Sequence, residues 1–304
     1  MKIGVVFPQA ELGSDVDAIR EYVLSAEDIG YTHIFIADHV LGADPKYHLS
    51  PDASSMSRSL SAEYSHESVV HEPFTLMAYI AALTKTLELT TGILILPQRQ
   101  TALVAKQAAE IDVLSGGRMR LGIGVGWNPV EFEALGENFH DRGQRSEEQI
   151  EVMRSLWTNS VVDFHGKWHN ITHAGINPRP IQHSIPVWIG AGSGPTLVPS
   201  NQILRRIARI ADGWFPMFPP DGRAQFTTDR IRQHAEEIGR NPDSIGMEGR
   251  VRTANKTQRE WSQEIKAWEL IGASHLAVET RKAGLKFPNQ HIEVLRQFKE
   301  TLHC

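Results

Sequence analysis

Three amphipathic stretches of this chain end in the same dipeptide, Ile29-Gly30, Ile238-Gly239 and Ile271-Gly272, and each is followed within a few residues by a short apolar run. A glycine just past a helix supplies the left-handed residue that closes it, so the repeated dipeptide marks helix stops with strands behind them. Taken from the N-terminus, the strand patterns are Lys2 to Phe7, His33 to Ala37, Leu87 to Ile95, Met119 to Gly124, Val187 to Ile189, Asp212 to Phe215, Ile245 to Val251 and Ala273 to Val278. Helical periodicity separates most of them. Eight β-α units in series imply a parallel sheet with right-handed crossovers, which closes most naturally into a (β/α)8 TIM barrel; an open doubly wound sheet is the alternative. With 304 residues, 41% of them hydrophobic, one barrel-sized core is possible, so a single domain over 1–304 is expected and two domains are the competing prior.

Local signals set the helix ends. Ser14 is a candidate N-cap, Pro73 can open a helix that faces Leu76, Met77, Ile80 and Leu83 inward, Asn201 can cap another, and Thr257 with Glu260 forms a capping box. Val162 to Ile171, centred on Gly166, reads as a hairpin outside the main pattern, and Asn128 to Asp141 as a polar excursion. Val40 to Glu72 has no sustained period. Loops that long in a compact domain are usually functional or mobile, which suggests insertions at the C-terminal mouth of the barrel.

Composition narrows the function classes. A formal net charge of -5 offers no basic surface for nucleic acid, so a small-molecule substrate is the expected partner. The apolar run Ile3 to Phe7 is too short for a signal-peptide core and no run approaches a membrane span, so a cytoplasmic location is expected. Cys304 is the only cysteine, which excludes intrachain disulfides and cysteine-based zinc. His66 and His71 flank a zinc-protease-like run, but five residues apart they lie about 140° from each other around a helix, so no metal site is expected there.

In a barrel the chemistry gathers at strand ends, which singles out Asp38-His39, Ile93 to Arg99, Val125 to Asn128, Gly190 to Gly194, Pro216, Arg252 and Glu279. Gly122-x-Gly124-x-Gly126 is a poor dinucleotide fingerprint because a polar loop follows it. These glycines either make room for a planar ring or allow tight internal packing. Gly190 to Gly194 can hold a phosphate or serve as a flexible turn. Asp38-His39 can act as acid and base, bind metal, or anchor a loop.

The run Leu114-Ser-Gly-Gly-Arg-x-x-Leu-Gly-Ile-Gly-Val-Gly-Trp-Asn-x-x-Glu-Phe132 resembles the signature of the luciferase-like monooxygenase superfamily, and more narrowly its members that use deazaflavin coenzyme F420. Ala37 to Val40, His71 to Phe74, Thr91 to Leu94 with Pro97-Gln98-Arg99, Val187 to Gly190 and Ala211 to Pro216 match in the family's order. The resemblance implies a (β/α)8 barrel with the cofactor at its C-terminal mouth and a cis Gly92-Ile93 peptide behind the central ring. It further implies Gly126 and Trp127 beside the cofactor, Gly190, Ala191, Gly192 and Ser193 near its phosphate, and Asp38 and His39 flanking the reactive face. Asp-His in place of the Glu-His-His frequent in the FMN branch favours F420 over FMN. Trp127, where glucose-6-phosphate-oxidising relatives carry a glutamate, argues against a sugar phosphate. The resemblance also implies a homodimer. An FMN-dependent monooxygenase fed by a separate reductase is the second reading, and a non-catalytic cofactor-binding protein the third.

Overall fold

The computed structural model describes residues 1–44, 64–192 and 198–302. Its strands are β1 (Lys2–Val6), β2 (His33–Ile36), β3 (Glu88–Thr91), β4 (Leu94–Ile95), β5 (Met119–Gly124), β6 (Val162–His165), β7 (Asn170–Ala174), β8 (Val187–Ala191), β9 (Gly213–Pro216), β10 (Gly246–Arg252) and β11 (His275–Glu279). Helices stand between most of them, and the fold is a (β/α)8 barrel. The chain groups into two compact units: Met1–Ile36 with Ala82–Thr90 and Trp188–Cys304, and Ala37–Ala81 with Thr91–Val187.

In the first unit the parallel neighbours run β2-β1-β11-β10-β9-β8. Gly4, Gly213, Gly246 and Gly249, all in its strands, face large rings. A Cβ on Gly4 would sit 2.2 Å from the His33 imidazole, on Gly213 2.4 Å and on Gly246 2.6 Å from Trp188, and on Gly249 2.3 Å from Trp268. Interiors this dense have no slack, so glycine is what admits the neighbouring ring. The buried His33 imidazole is itself satisfied, with Nε2 3.0 Å from Oε1 of Glu248.

In the second unit β4 pairs with β5 in parallel, Leu94 opposite Ile123 and Ile95 opposite Gly124. The expected third strand is thus two pieces, β3 and β4, with the cis Gly92-Ile93 bond between them. Helix Thr101–Ser115 stops where Gly116 and Gly117 take φ of 71° and 87°, the left-handed turn that their sequence suggested. Helix Arg142–Thr158 packs on it, and Trp157 Nε1 donates to the Ala105 carbonyl at 2.9 Å. β6 and β7 form the antiparallel hairpin set apart from the barrel pattern.

Three local expectations are corrected. The N-cap of Val16–Asp28 is Asp15, whose carboxylate accepts from the Asp17 and Ala18 amides, because the chain turns one residue later than Ser14. Asn201 is the first residue of its helix and Ser200 holds the cap position; the Asn201 Oδ1 instead faces His234 and Arg230. The polar stretch after β5 contains a helix, Pro129–Ala134, capped by Asn128 Oδ1, which accepts from Val130 N at 3.1 Å. The Thr257–Glu260 capping box forms as the sequence indicates. Among the described residues no helix is long and apolar enough to cross a membrane.

Candidate active site

Asp38 and His39 follow directly on β2 and open the second unit, where they meet groups from three other segments. Asp38 is buried, and both of its oxygens are engaged: Oδ2 accepts the Ile95 N–H at 2.9 Å and Oδ1 accepts from Arg99 Nη2 at 2.7 Å. Arg99 also donates through Nη1 to Glu72 Oε1 at 3.2 Å. Glu72 in turn closes the start of helix Pro73–Leu83, its Oε2 accepting from the Thr75 amide at 2.7 Å. Burial pushes the Asp38 carboxyl above its ordinary value, opposed by the Arg99 guanidinium, the Ile95 amide and His39. For Arg99, burial works against the charge, but Asp38 and Glu72 outweigh it and hold the guanidinium above its usual range.

His39 turns the other way. Its Nδ1 lies 3.1 Å and 3.2 Å from the two oxygens of Glu131, a residue sealed from solvent. Glu131 Oε1 also accepts the Val40 amide at 2.8 Å, so this carboxylate fixes both the imidazole and the backbone behind it. A carboxylate accepts only, so Nδ1 carries the proton and Nε2 is the remaining nitrogen, without a partner among the described residues. The imidazole is flanked by Tyr64, with ring centroids 4.1 Å apart, and by Trp127 at 5.4 Å.

Asp38 and His39 line a cavity of about 440 Å³ together with Glu72, Gln98, Arg99 and Leu103, among others. Gln98 is 3% exposed, and neither its Oε1 nor its Nε2 has a partner among the described residues. Gly124, the last residue of β5, and Gly126 beyond it are closely packed: a Cβ on Gly124 would lie 2.1 Å from Ile93 Cδ1, and one on Gly126 2.5 Å from Ile95 Cγ2. They make room for the side chains of the bend at Gly92-Ile93. Gly126 takes φ of 74°, and its carbonyl accepts from Arg142 Nε at 3.2 Å, which sets the turn that carries Trp127.

The structure therefore groups Asp38, His39, Ile93, Gly126 and Trp127 in one unit. Gly190 and Ala191 end β8, Gly192 follows it with φ of 105°, and all three belong to the first unit. Ser193 lies outside the described residues. Gln98 and Arg99 fell within the strand-end range Ile93 to Arg99 without a role of their own, and Glu131 stood in the family-like run without being singled out; the signal that could have found Glu131 is Asn128-Pro129 followed by an acid in the first turn, a helix start that aims a carboxylate at a fixed place.

A second cavity, about 360 Å³, lies in the first unit and is lined by Pro216 to Pro220, Arg250, Arg252, Lys256 and Glu264. Beside it the buried Glu279 accepts from Arg281 Nε at 2.8 Å and Arg252 Nε at 3.2 Å, with Arg250 Nη1 at 3.5 Å. Burial alone would raise the Glu279 carboxyl, but Arg250, Arg281 and Arg252 prevail and hold it at about 2. The guanidinium of Arg250 lies 4.8 Å from the centre of the Phe35 ring.

The family model described as luciferase-like monooxygenase matches residues 1–286. An uncharacterized protein of Mycobacterium tuberculosis is 32% identical over 237 residues, 77% of each chain. The pyrimidine monooxygenase RutA of Allorhizobium ampelinum is 34% identical over 180 residues, 56% of this chain and 46% of that one. An FMNH2-dependent dimethylsulfone monooxygenase of Pseudomonas putida is 34% identical over 180 residues, 56% of this chain and 48% of that one. Among solved structures, monooxygenase RslO1 from Streptomyces bottropensis superposes with a TM-score of 0.74 at 18% identity, covering 100% of this chain and 99% of that one. An F420-dependent secondary alcohol dehydrogenase in complex with an F420-acetone adduct superposes with a TM-score of 0.72 at 16% identity, covering 99% and 98%. At these identities the solved structures speak for the fold.

Proposed function

Because the chain belongs to the luciferase-like monooxygenase family, we propose that it is an oxidoreductase moving a hydride between deazaflavin coenzyme F420 and a small organic substrate. The observation that carries this is His39, oriented through Nδ1 by the buried Glu131 and with Nε2 unpartnered among the described residues, next to Asp38 on one cavity. The residues fit a flat ring with polar edges. Tyr64 and Trp127 pack against His39, and on the cavity wall Gln98 supplies a carboxamide unpartnered among the described residues. A bound deazaflavin brings two-electron chemistry and reacts poorly with oxygen. The protein's own part is to position the reactants and to move a proton: Nε2 of His39 takes or gives the proton that accompanies the hydride at the substrate, and Glu131 stabilises the charge that forms on the ring. Asp38, tied by Arg99 and the Ile95 amide, keeps the segment carrying His39 in register.

An FMN-dependent monooxygenase is the second reading: both 34%-identical relatives are named monooxygenases, and the one from Pseudomonas putida is named FMNH2-dependent.

The test is His39→Ala. Single-turnover hydride transfer should slow by roughly 100-fold or more, the range that general acid-base groups supply, with little loss of cofactor affinity. An unchanged rate would reduce His39 to an anchor for the loop that follows it.

A further inference from the structure

We infer that Gln98 reads the polar edge of a bound ring: its carboxamide pairs with a cis-amide edge, a carbonyl beside an N–H, on a molecule in the cavity that Asp38 and His39 line. This rests on the oxidoreductase reading and adds a recognition residue to that site.

Gln98 is buried to 3% exposure with both polar atoms unpartnered among the described residues, and it lines the cavity. Buried carboxamides are normally satisfied, because an unmade hydrogen bond leaves the full desolvation cost of the group standing. A residue at this place serving only to pack would be better apolar. The segment carrying it is held firmly. The Leu96 and Arg99 carbonyls accept from Gln149 Nε2 at 3.3 Å and 3.1 Å, the Pro97 carbonyl accepts from Arg145 Nη2, and the Ile95 amide donates to Asp38. The backbone is thus fixed on both sides of a side chain that is itself uncommitted, the arrangement expected of a preorganised recognition group.

The charges on the same cavity are already paired, although Arg99 Nε has no partner among the described residues. Asp38 and Glu72 share Arg99, Glu137 pairs with Arg145, and His39 holds Glu131. Gln100 and Gln107 also line it, but Gln100 is exposed and Gln107 half-buried. Among the described residues the cavity side chain with no hydrogen bond at all is therefore neutral, with one acceptor and one donor side by side. Its complement is a neutral edge with donor and acceptor in the same spacing, as in a lactam or imide. Two molecules could present it: the pyrimidinedione ring that deazaflavin and FMN share, or a substrate with an amide or imide.

The experiment compares the wild type with Gln98→Leu and Gln98→Glu. Affinity for oxidised F420 and for FMN is measured by fluorescence quenching. The cofactor-loaded protein is then titrated calorimetrically with glutarimide and with N-methylglutarimide, and the thermal midpoint is recorded without ligand. Removal of the unpaired carboxamide in Gln98→Leu should leave the midpoint unchanged or higher, while one affinity falls about tenfold, the worth of two modest hydrogen bonds. Gln98→Glu, which keeps the acceptor and loses the donor, should lose affinity in the same arm. A loss for the cofactor assigns the edge to the cofactor ring. A loss of preference for glutarimide over its N-methyl derivative, with cofactor affinity intact, assigns it to the substrate. Unchanged cofactor affinity with no imide preference lost overturns the inference, and so does a lowered midpoint with binding intact, which would make Gln98 a packing residue. A wild type that binds neither cofactor defeats the oxidoreductase reading, and the role of Gln98 with it; a wild type that binds one, matched by Gln98→Leu in both arms, defeats only the role of Gln98.

Discussion

Nδ1 of His39 stands 3.1 Å from a carboxylate oxygen of Glu131, across 92 residues of sequence, and Glu131 is closed to solvent. This pair decides which imidazole nitrogen is available to a substrate. In Glu131→Gln the side-chain shape and an oxygen for the Val40 amide persist, but the negative charge is gone. Hydride transfer should fall roughly 10- to 100-fold in single-turnover measurements, with cofactor affinity nearly unchanged. A rate equal to wild type would show that the charge on Glu131 has no part in the reaction.

The Asp38–Arg99 pair is the second testable element. In Arg99→Met, Asp38 keeps the Ile95 amide and loses its cation in a buried place, and breaking such a pair typically costs about 3–5 kcal/mol. Urea unfolding should show most of this loss. The double variant Asp38→Asn with Arg99→Met should recover a large part of it, because no unpaired charge is left. Equal stability of wild type and Arg99→Met would mean that the ion pair does not hold this segment.

Glu279 sets an acid limit. Its folded-state pKa of about 2 lies below the ordinary 4.5, so the folded protein binds this proton less readily than the unfolded chain does. The stabilisation is therefore fully present above the unfolded value and is lost as pH falls from about 5 towards 2, amounting to about 3 kcal/mol. Glu279→Gln should be less stable than wild type at neutral pH and should show a flatter stability profile across that window. A variant with the wild-type profile would contradict the three-arginine account.

Much of the architecture was legible because it depends on neighbours in sequence. Gly30 and Gly239 follow their helices with φ of 86° and 73°, and Gly272 caps its helix with φ of 92°, so the repeated Ile-Gly dipeptide carried real backbone information. Thr257 and Glu260 are three residues apart and their capping box needs no tertiary contact. Where two residues of the same capping type adjoin, as at Ser14 and Asp15, sequence has no means of choosing between them.

The site was legible only in part. Asp38 and His39 were marked by their place at a strand end, but what they bond to is distant in the chain: Arg99 is 61 residues from Asp38, and Glu131 lies in a stretch too polar to show helical periodicity. The glycines from 122 to 126 had two readings, and that Ile93 and Ile95 fill the space left at Gly124 and Gly126 depends on a neighbouring segment some thirty residues away. Gln98 was visible as one letter of a motif, since a missing hydrogen bond has no signature in sequence.

The central claim is the choice of cofactor, and equilibrium titration of the purified protein with oxidised F420 and with FMN tests it most directly. F420 should bind at least about tenfold more tightly, a difference of about 1.4 kcal/mol. FMN bound as tightly or more tightly, or retained through purification, would contradict the account and favour the monooxygenase.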